Sequence, residues 1–267
     1  MTRLALKEEP PVRLALDGLI PERLAGLAPA EVERLPLALG NRRQRVGDWF
    51  RVTASDGETL ELEGDCRRLD RIGAGMSGGA LSIRGDAGAY LGIGMSGGTI
   101  AVSGAAGYGA ATDMRGGTLR IAGDAGDAIG GALPGALGGM RGGTVLVAGR
   151  AGDEAGRHLR RGLIVIGGAA GTACGTEMVA GTIVVAGSLG ARAGTAMRRG
   201  SVIALGGATR IGATFADCGV HDLVFLRLLA RHLATLGLGA LARRLGPLRR
   251  WMGDAAVGGR GELLTPG

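Results

Sequence analysis

The sequence predicts an all-β solenoid: a right-handed parallel β-helix of about seven to eight coils, with a small N-terminal cap and C-terminal helices. The first observation behind this prediction is a repeat. The segment 95–107, Met-Ser-Gly-Gly-Thr-Ile-Ala-Val-Ser-Gly-Ala-Ala-Gly, recurs with small edits along the middle of the chain. Its copies begin at positions 76, 95, 114, 140, 159, 178 and 197, after a degraded first copy that begins at Ser55. The spacing is 19 residues except for 21 between the first two copies and 26 between 114 and 140.

The second observation is the apolar pattern inside each copy. Counted from the first residue of a copy, offsets five and seven are apolar, as in Leu81 and Ile83 or Ile100 and Val102. A period of two indicates a short strand with one buried face. A glycine stands at offset nine of every copy, where a corner is expected. Nineteen residues are too few for strand, helix and return, but they fit one coil of two or three short strands. The regular apolar pairs and the absence of Gly-X-Y triplets argue against a disordered or collagen-like segment, although 55 of the 267 residues are glycine.

Residues 1–50 are expected to form a capping region, 51–215 the β-helix, and 216–267 a C-terminal helical tail. In the capping region we expect a strand over 13–16 and a short helix over 28–35, with Pro29 in its first turn. Trp49 and Phe50 are expected to plug the open end of the solenoid, because a bare end would expose unpaired strands.

The long spacing after position 114 contains a seven-residue insertion within 129–139. It is apolar and uncharged, whereas a loop that projects from a corner is normally polar. This composition indicates burial against another surface, so Leu133 and Pro134 are candidate partner-interface residues.

Beyond the last repeat, Asp222 is expected to cap a helix over 223–234 that ends near Gly237. A second short helix is expected over 241–245, before Gly246-Pro247. The polar stripe of the first helix is narrow, so most of its surface should be covered, by the protein itself or by a membrane surface.

The net charge of +7 is uneven: residues 1–140 carry 15 basic and 17 acidic side chains, and residues 141–267 carry 16 and 7. Nucleic acid is the usual partner of a basic half, but the chain has few aromatic residues and no nucleic-acid motif. The three cysteines, Cys66, Cys174 and Cys218, are far apart and are interpreted as reduced thiols of a cytoplasmic protein. No segment has the apolar length of a membrane span, and no signal peptide is expected.

Several sequence patterns resemble catalytic or binding motifs but have a simpler structural explanation. Segments 73–78 and 92–97 match GxGxxG, but each is followed by a predicted strand, whereas a dinucleotide site needs a helix there. His158, His221 and His232 have no metal-ligand spacing. Asp86 and Asp124 are interpreted as turn residues. We therefore expect no catalytic residue, no bound metal and no cofactor in this chain, and no nucleic-acid or membrane partner.

Two surface rows have candidate binding roles. Offset six should point outward from the strands, and in the later copies it forms an apolar row of candidate interface residues: Leu146, Val165, Val184 and Ile203, extended by Leu205. Either the helix near Leu223 or a partner must cover this row. Offset one, with the position after it, forms a basic row: Arg115, Arg141, Arg160, Arg161, Arg198 and Arg199. Like charges that lie opposite one another are unfavourable in a sheet, so these arginines are either solvated or a track for a polyanion.

Three features together resemble the C subunit of the formylmethanofuran dehydrogenases. They are the repeat, the segment Gly-Asn-Arg-Arg-Gln-Arg-Val-Gly-Asp at 40–48, and the tail with Trp-Met-Gly-Asp at 251–254 and Gly-Arg-Gly-Glu at 259–262. The repeat alone is shared with the β-helix domain of the glutamate synthase large subunit, so the two ends make the resemblance specific. It covers essentially the whole chain.

The resemblance implies a right-handed β-helix that serves as a non-catalytic scaffold subunit in a cytoplasmic complex. Methanogens have a tungsten or molybdenum enzyme of this type that reduces CO2. Methylotrophic bacteria have a formyltransferase/hydrolase complex, which moves a formyl group from tetrahydromethanopterin to a methanofuran-type carrier and releases formate. The arginine-rich, alanine-rich composition favours the methylotroph version.

The implied partners are hydrolase-like, formyltransferase and dehydrogenase-B-like subunits. The formyl carriers of such complexes bear a glutamate-rich tail, so the resemblance makes this tail, or an acidic partner surface, the candidate ligand of the basic row. A glutamate synthase-type domain and a free-standing protein that binds an anion are the other functions to be tested.

Overall fold

A computed structural model describes residues 1–40, 42–54 and 57–267, so the start of the degraded first copy at Ser55 lies outside the described residues. The described chain is mostly β, with a few short helices. The strands are β1 Thr2–Leu6, β2 Leu14–Ala15, β3 Pro36–Leu39, β4 Arg42–Arg45, β5 Phe50–Ala54, β6 Thr59–Glu63, β7 Leu69–Asp70, β8 Ala80–Arg84, β9 Thr99–Val102, β10 Thr118–Ile121, β11 Arg141–Val147, β12 Arg161–Ile166, β13 Thr182–Val185, β14 Ser201–Ala204, β15 Ala216–His221, β16 Leu248–Gly253 and β17 Gly261–Thr265. The helices are α1 Pro21–Leu24, α2 Pro29–Glu33, α3 Val46–Trp49, α4 Val224–Thr235 and α5 Gly239–Ala242, with a short 3-10 helix at Ala255–Val257.

One large, mostly parallel sheet has 13 strands in the order β15-β16-β17-β14-β13-β12-β11-β10-β9-β8-β6-β1-β5. A smaller sheet has the order β4-β3-β2-β7. In the repeat region, strands pair at equal offsets: Ile100 lies beside Leu81 on one side and beside Leu119 on the other. This register is kept across the insertion, where Leu119 pairs with Val145. Equal offsets place the apolar residues of neighbouring strands on the same face, which a slip of one residue would reverse.

A second row of parallel contacts runs along the repeats. It consists of isolated bridges at offset eleven, joining Cys66, Ala87, Ala106, Ala125, Ala151, Ala170, Leu189 and Ala208 in series. Each repeat therefore meets its neighbours in the large sheet and again in this row. The residue that begins each described copy from Met76 to Met197 is fully buried. The predicted repeat thus corresponds to repeated contacts and to a continuous core.

Aspartates at the corners connect one repeat to the next. Asp86 Oδ1 accepts a hydrogen bond from the Ala105 amide at 2.8 Å, and Asp124 Oδ1 accepts one from the Arg150 amide at 2.7 Å. Asp153 Oδ1 accepts a third from the Thr172 amide at 2.7 Å. Because each carboxylate satisfies an amide that would otherwise lack a partner, these residues stabilise the corners, in agreement with their interpretation as turn residues.

The N-terminal region joins the large sheet through β1, which is parallel to β6 and antiparallel to β5. Strand β2 and helix α2 lie within the two predicted elements, and Trp49 and Phe50 are both buried in the core. Arg3 and Arg84 both donate to the buried carboxylate of Glu61. Burial opposes ionisation of Glu61, but these bonds outweigh it and lower the pKa of the carboxyl.

The C-terminal region contains three strands that the sequence did not predict, in addition to its helices. β17 extends the parallel sheet beside β14, and β16 and β15 follow as antiparallel strands. The buried carboxylate of Asp254 accepts hydrogen bonds from the amides of Ala196 and Ala256, both at 2.9 Å. The tail thereby attaches to the last repeat instead of forming a purely helical extension.

The predicted cap of the C-terminal helix is wrong. Helix α4 begins at Val224, so its N-cap is Leu223, which provides no side-chain hydrogen bond. Asp222 lies one residue too early to cap it and pairs instead with Arg227. The second helix, α5, spans Gly239–Ala242, so it begins and ends earlier than the predicted range 241–245. No helix among the described residues is long and apolar enough to cross a membrane.

Candidate functional site

Five of the six arginines in the predicted basic row line one open cleft of about 610 Å³. We call this surface the arginine cleft: Arg141, Arg160, Arg161, Arg198 and Arg199, with Val179 and Ala180 between them. The first residues of strands β11 and β12, Arg141 and Arg161, lie opposite each other, with an irregularity in the register before Thr144. The arginines lie on the surface because the first residue of each copy is buried and the next one or two positions turn outward. Backbone hydrogen bonds between neighbouring repeats, such as those from the Arg160 amide to Met140 and from the Arg198 amide to Met178, hold them at fixed spacing.

The sixth predicted residue, Arg115, does not line the cleft. Its Nη2 pairs with Asp113 at 3.1 Å, and Arg141 Nε pairs with the same carboxylate at 3.0 Å. Asp113 therefore offsets the repulsion expected between these two neighbouring arginines. Within the described chain, Arg141 is the one member of the arginine cleft that forms an ion pair. The cleft thus carries an excess of positive charge that suits a ligand with several carboxylates or phosphates.

Arg260 extends the basic row, although the sequence did not predict it there. The Arg260 amide donates to the Arg198 carbonyl at 2.7 Å, as the Arg198 amide donates to Met178 in the preceding repeat. The side chain of Arg260 is exposed. Its only sequence signal is the Gly-Arg-Gly-Glu segment, which does not match the repeat, so its place beside Arg198 depends on the pairing of β17 with β14.

The apolar insertion lies beside the arginine cleft. Arg160 Nη2 donates to the Leu137 carbonyl at 3.2 Å. Residues 133–137 are exposed within this chain, with Leu133 39% and Leu137 77% accessible, so their expected burial against another surface requires a partner and stays a prediction. Because the loop projects beyond the repeat, Leu133 and Pro134 present an apolar surface next to a strongly basic one.

The predicted apolar row at offset six is covered by the chain itself. We call it the outer ridge; its members are Leu146, Val165, Val184, Ile203 and Leu205, and each is at most 8% accessible. They form one cluster with Leu226 and Leu233 of α4 and with Ala242 of α5. Of the two alternatives for this ridge, the structure has the helical cover. The exposed apolar residues of α4, Val224 and Leu228, lie on its opposite, outer face.

The other motifs form no chemical site. Strands β8 and β9 follow the two GxGxxG matches, where a dinucleotide site would need a helix. His158 Nε2 lies 2.8 Å from a carboxylate oxygen of Glu177, and His221 Nε2 lies 2.8 Å from the Cys218 carbonyl. Among the residues that the structure describes, no group of three or more His, Cys, Asp or Glu side chains could hold a metal ion.

The cysteines give a simple test of the packing. Burial raises the pKa of both Cys66 and Cys174 to about 12, whereas Cys218 is exposed on β15. Since the thiolate is the reactive form, we expect the native protein to react rapidly with one equivalent of a thiol reagent such as Ellman's reagent. In denaturant, three equivalents should react. A second fast equivalent in the native protein would contradict the buried core described above, and Cys218→Ser should remove the fast reaction.

No family model matches the chain. Over 266 residues, which cover all of both proteins, it is 50% identical to the C subunit of the formyltransferase/hydrolase complex Fhc of Methylorubrum extorquens. The chain also resembles one chain in a crystal structure of the formyltransferase/hydrolase complex FhcABCD from that organism, which was determined in complex with methylofuran. The TM-score is 0.95, the identity is 43%, and 99% of each of the two chains is covered. A shorter match, 33% identical over 90 residues and covering 33% of each protein, links it to the C subunit of the tungsten-containing formylmethanofuran dehydrogenase 2 of Methanococcus maripaludis. The chain belongs to the family of the Fhc C subunit, which is related to the C subunit of the formylmethanofuran dehydrogenases.

Proposed function

We propose that this chain is the non-catalytic scaffold subunit of a formyltransferase/hydrolase complex. The observation that carries the proposal is the full-length similarity to the Fhc C subunit, in sequence and in fold. The proposed complex transfers a formyl group from tetrahydromethanopterin to a methanofuran-type carrier and hydrolyses it to formate. The partners would be the hydrolase-like, formyltransferase and dehydrogenase-B-like subunits.

In this proposal the repeats are successive coils of a right-handed parallel β-helix. The two parallel rows of contacts, one through the large sheet and one through the offset-eleven bridges, support this architecture. Right-handedness follows the strong preference of parallel crossovers. Such a coil stack is a stiff support, since each coil packs against its neighbours in both rows.

Purification of the untagged native protein tests the assignment. We expect the three partner subunits to co-purify in fixed ratio, as identified by mass spectrometry, without tungsten or molybdenum. A stoichiometric tungsten or molybdenum content would favour a formylmethanofuran dehydrogenase instead. Amidotransferase and flavin-containing partners would indicate a glutamate synthase. A monomer without partners would contradict the scaffold role and favour a free-standing binding protein.

Within the complex, the arginine cleft is proposed to hold the acidic tail of the formyl carrier. The methylofuran in the similar solved complex is a carrier of the type expected here. Guanidinium groups pair well with carboxylates, and exposed pairs are individually weak. Several weak contacts along Arg141, Arg160 and Arg198 would keep a tail near the complex while it still slides between positions. An acidic surface of a partner subunit is the competing ligand for these arginines.

The triple variant Arg141→Ala, Arg160→Ala, Arg198→Ala tests this site in a complex that has been shown to be intact. At roughly 0.5 kcal/mol for each lost exposed contact, the apparent KM for the glutamylated carrier should rise about tenfold at low salt. The effect should shrink as salt is added, because exposed ion pairs are screened.

The matched control is Arg192→Ala, Arg210→Ala, Arg231→Ala, which removes the same charge from exposed positions outside the cleft. It should leave the KM nearly unchanged. An unchanged KM in the cleft variant at low salt would contradict the carrier site. Loss of assembly in the cleft variant, with the control intact, would instead indicate an acidic partner surface.

A further inference from the structure

A second surface of the chain is an open apolar groove of about 670 Å³, on the face of the large sheet opposite the core. Its floor includes Ala101 of β9 and Leu146 of β11, and its wall is formed by Leu238, which precedes α5, and Leu241 of α5. The helices cover the outer ridge from β11 to β14, and Ala101 of β9, two strands beyond β11, is exposed. The groove therefore lies where the chain's own cover ends and an apolar surface continues.

Positive charge borders this apolar surface. Arg120 Nη1 lies 3.4 Å from the Leu236 carbonyl at the end of α4, and Arg244 Nη2 lies 2.9 Å from the Ala186 carbonyl and 3.1 Å from the Leu205 carbonyl. Both arginines line the groove, and among the described residues no acidic side chain does. A guanidinium has five N–H donors, so both retain donors after these contacts. A ligand that fits this groove has an apolar part and a carboxylate.

We propose that the groove holds a segment of a partner subunit, in which aliphatic or aromatic side chains are followed by an acidic residue; this rests on the proposed function in a multi-subunit complex. The aliphatic or aromatic side chains pack on Ala101, Leu238 and Leu241, and the carboxylate pairs with Arg120. A protein segment suits the groove better than a free small molecule does. Small-molecule sites bury most of the ligand, whereas this groove is open along one side and would leave the ligand's apolar surface in water. A segment that belongs to a larger partner covers that side with its own surface.

The substitution Ala101→Trp tests the proposal, because it fills the groove from an exposed position without entering the core. Thr99→Trp is the matched control: Thr99 is exposed on the same strand and the same face, two residues earlier, but it does not line the groove. Each variant is co-expressed with the wild-type chain and the partner subunits, and the ratio of the two chains in the purified complex is measured by mass spectrometry. A central apolar contact is often a major contributor to an interface, so Ala101→Trp should be incorporated at least tenfold less than wild type. Thr99→Trp should be incorporated equally.

Two further measurements separate the possible outcomes. Both tryptophan variants should melt within a few degrees of wild type as isolated chains, so poor folding does not explain an incorporation defect. Arg120→Glu should reduce incorporation as well, and by less at high salt.

Equal incorporation of Ala101→Trp and wild type, in a complex that assembles, would overturn this inference and leave the proposed function intact. A wild-type chain that binds no partner would overturn both. A small amphiphile found on the isolated chain by native mass spectrometry, and lost in Ala101→Trp, would replace the protein segment as the occupant.

Discussion

The double substitution Val165→Asp, Val184→Asp is expected to unfold the region around the outer ridge. The two side chains are 2% and 0% accessible, and they pack beneath α4 in one cluster with Leu226 and Leu233. Two unpaired carboxylates in this cluster must either displace the helix or become protonated, and each alternative costs several kcal/mol. We expect a loss of more than about 4 kcal/mol in the free energy of unfolding, measured on the isolated chain by denaturant titration.

The matched control places the same charges on the outer face of the same helix. Val224 and Leu228 are 67% and 59% accessible, so Val224→Asp with Leu228→Asp should change stability by less than about 1 kcal/mol. Equal stability of the Val165→Asp, Val184→Asp variant and wild type would show that α4 does not cover the ridge in solution. A variant that is stable alone but fails to assemble would restore the partner as the cover.

Adding a single methyl group, by the substitution Gly116→Ala, is expected to cause the second large loss of stability. Gly116 has an ordinary backbone angle, but a Cβ there would lie 2.3 Å from the carbonyl oxygen of Ser96 in the preceding repeat. The backbone carbonyl of Ser96 cannot rotate away as a side chain could. The two repeats must therefore separate locally and lose hydrogen bonds. Overpacking of this kind costs about 3 kcal/mol, which should appear as a lower denaturation midpoint of the Gly116→Ala variant.

Gly78 provides the control at the same offset of an earlier copy. A Cβ at Gly78 would meet nothing within 4 Å, and its backbone angle is likewise ordinary. Gly78→Ala should therefore change stability by less than about 0.5 kcal/mol, with either sign. If both substitutions cost the same, close stacking of neighbouring repeats is not what requires glycine at Gly116.

The repeat region shows how much of this fold follows from sequence periodicity. A period of two within each copy, together with 19 residues between copies, predicted which residues face inward and which lie beside each other. The observed pairs, such as Ile164 beside Ile183, have equal offsets. Periodicity succeeds here because all the copies have the same local preferences and meet the same neighbour. Even the seven-residue insertion could be recognised, since the pattern resumes after it. Its burial against a partner stays a prediction, because that contact lies outside this chain.

The candidate surfaces could be predicted only in part. The spacing of Arg141, Arg160 and Arg198 predicted a common basic edge, and the arginine cleft contains all three. The role of Asp113 was not predicted, although it lies two residues before Arg115, because a carboxylate can turn toward either of two neighbouring repeats. Arg260 lies outside the repeat and joins the row through the pairing of β17 with β14.

By itself, the sequence determined the repeat, its register, the buried apolar pairs and the family resemblance. Only the tertiary structure decided between the two possible covers of the outer ridge, placed β17 against β14 and left the groove beside Ala101 open. The physical reason is the difference between periodic and single contacts. In a repeated pattern every copy packs against the same kind of neighbour, so the sequence indicates that contact several times. Helix α4 and the tail each pack once, against a surface whose residues are far away along the chain. Their position depends on shape and on competing apolar surfaces, and no local pattern encodes that choice.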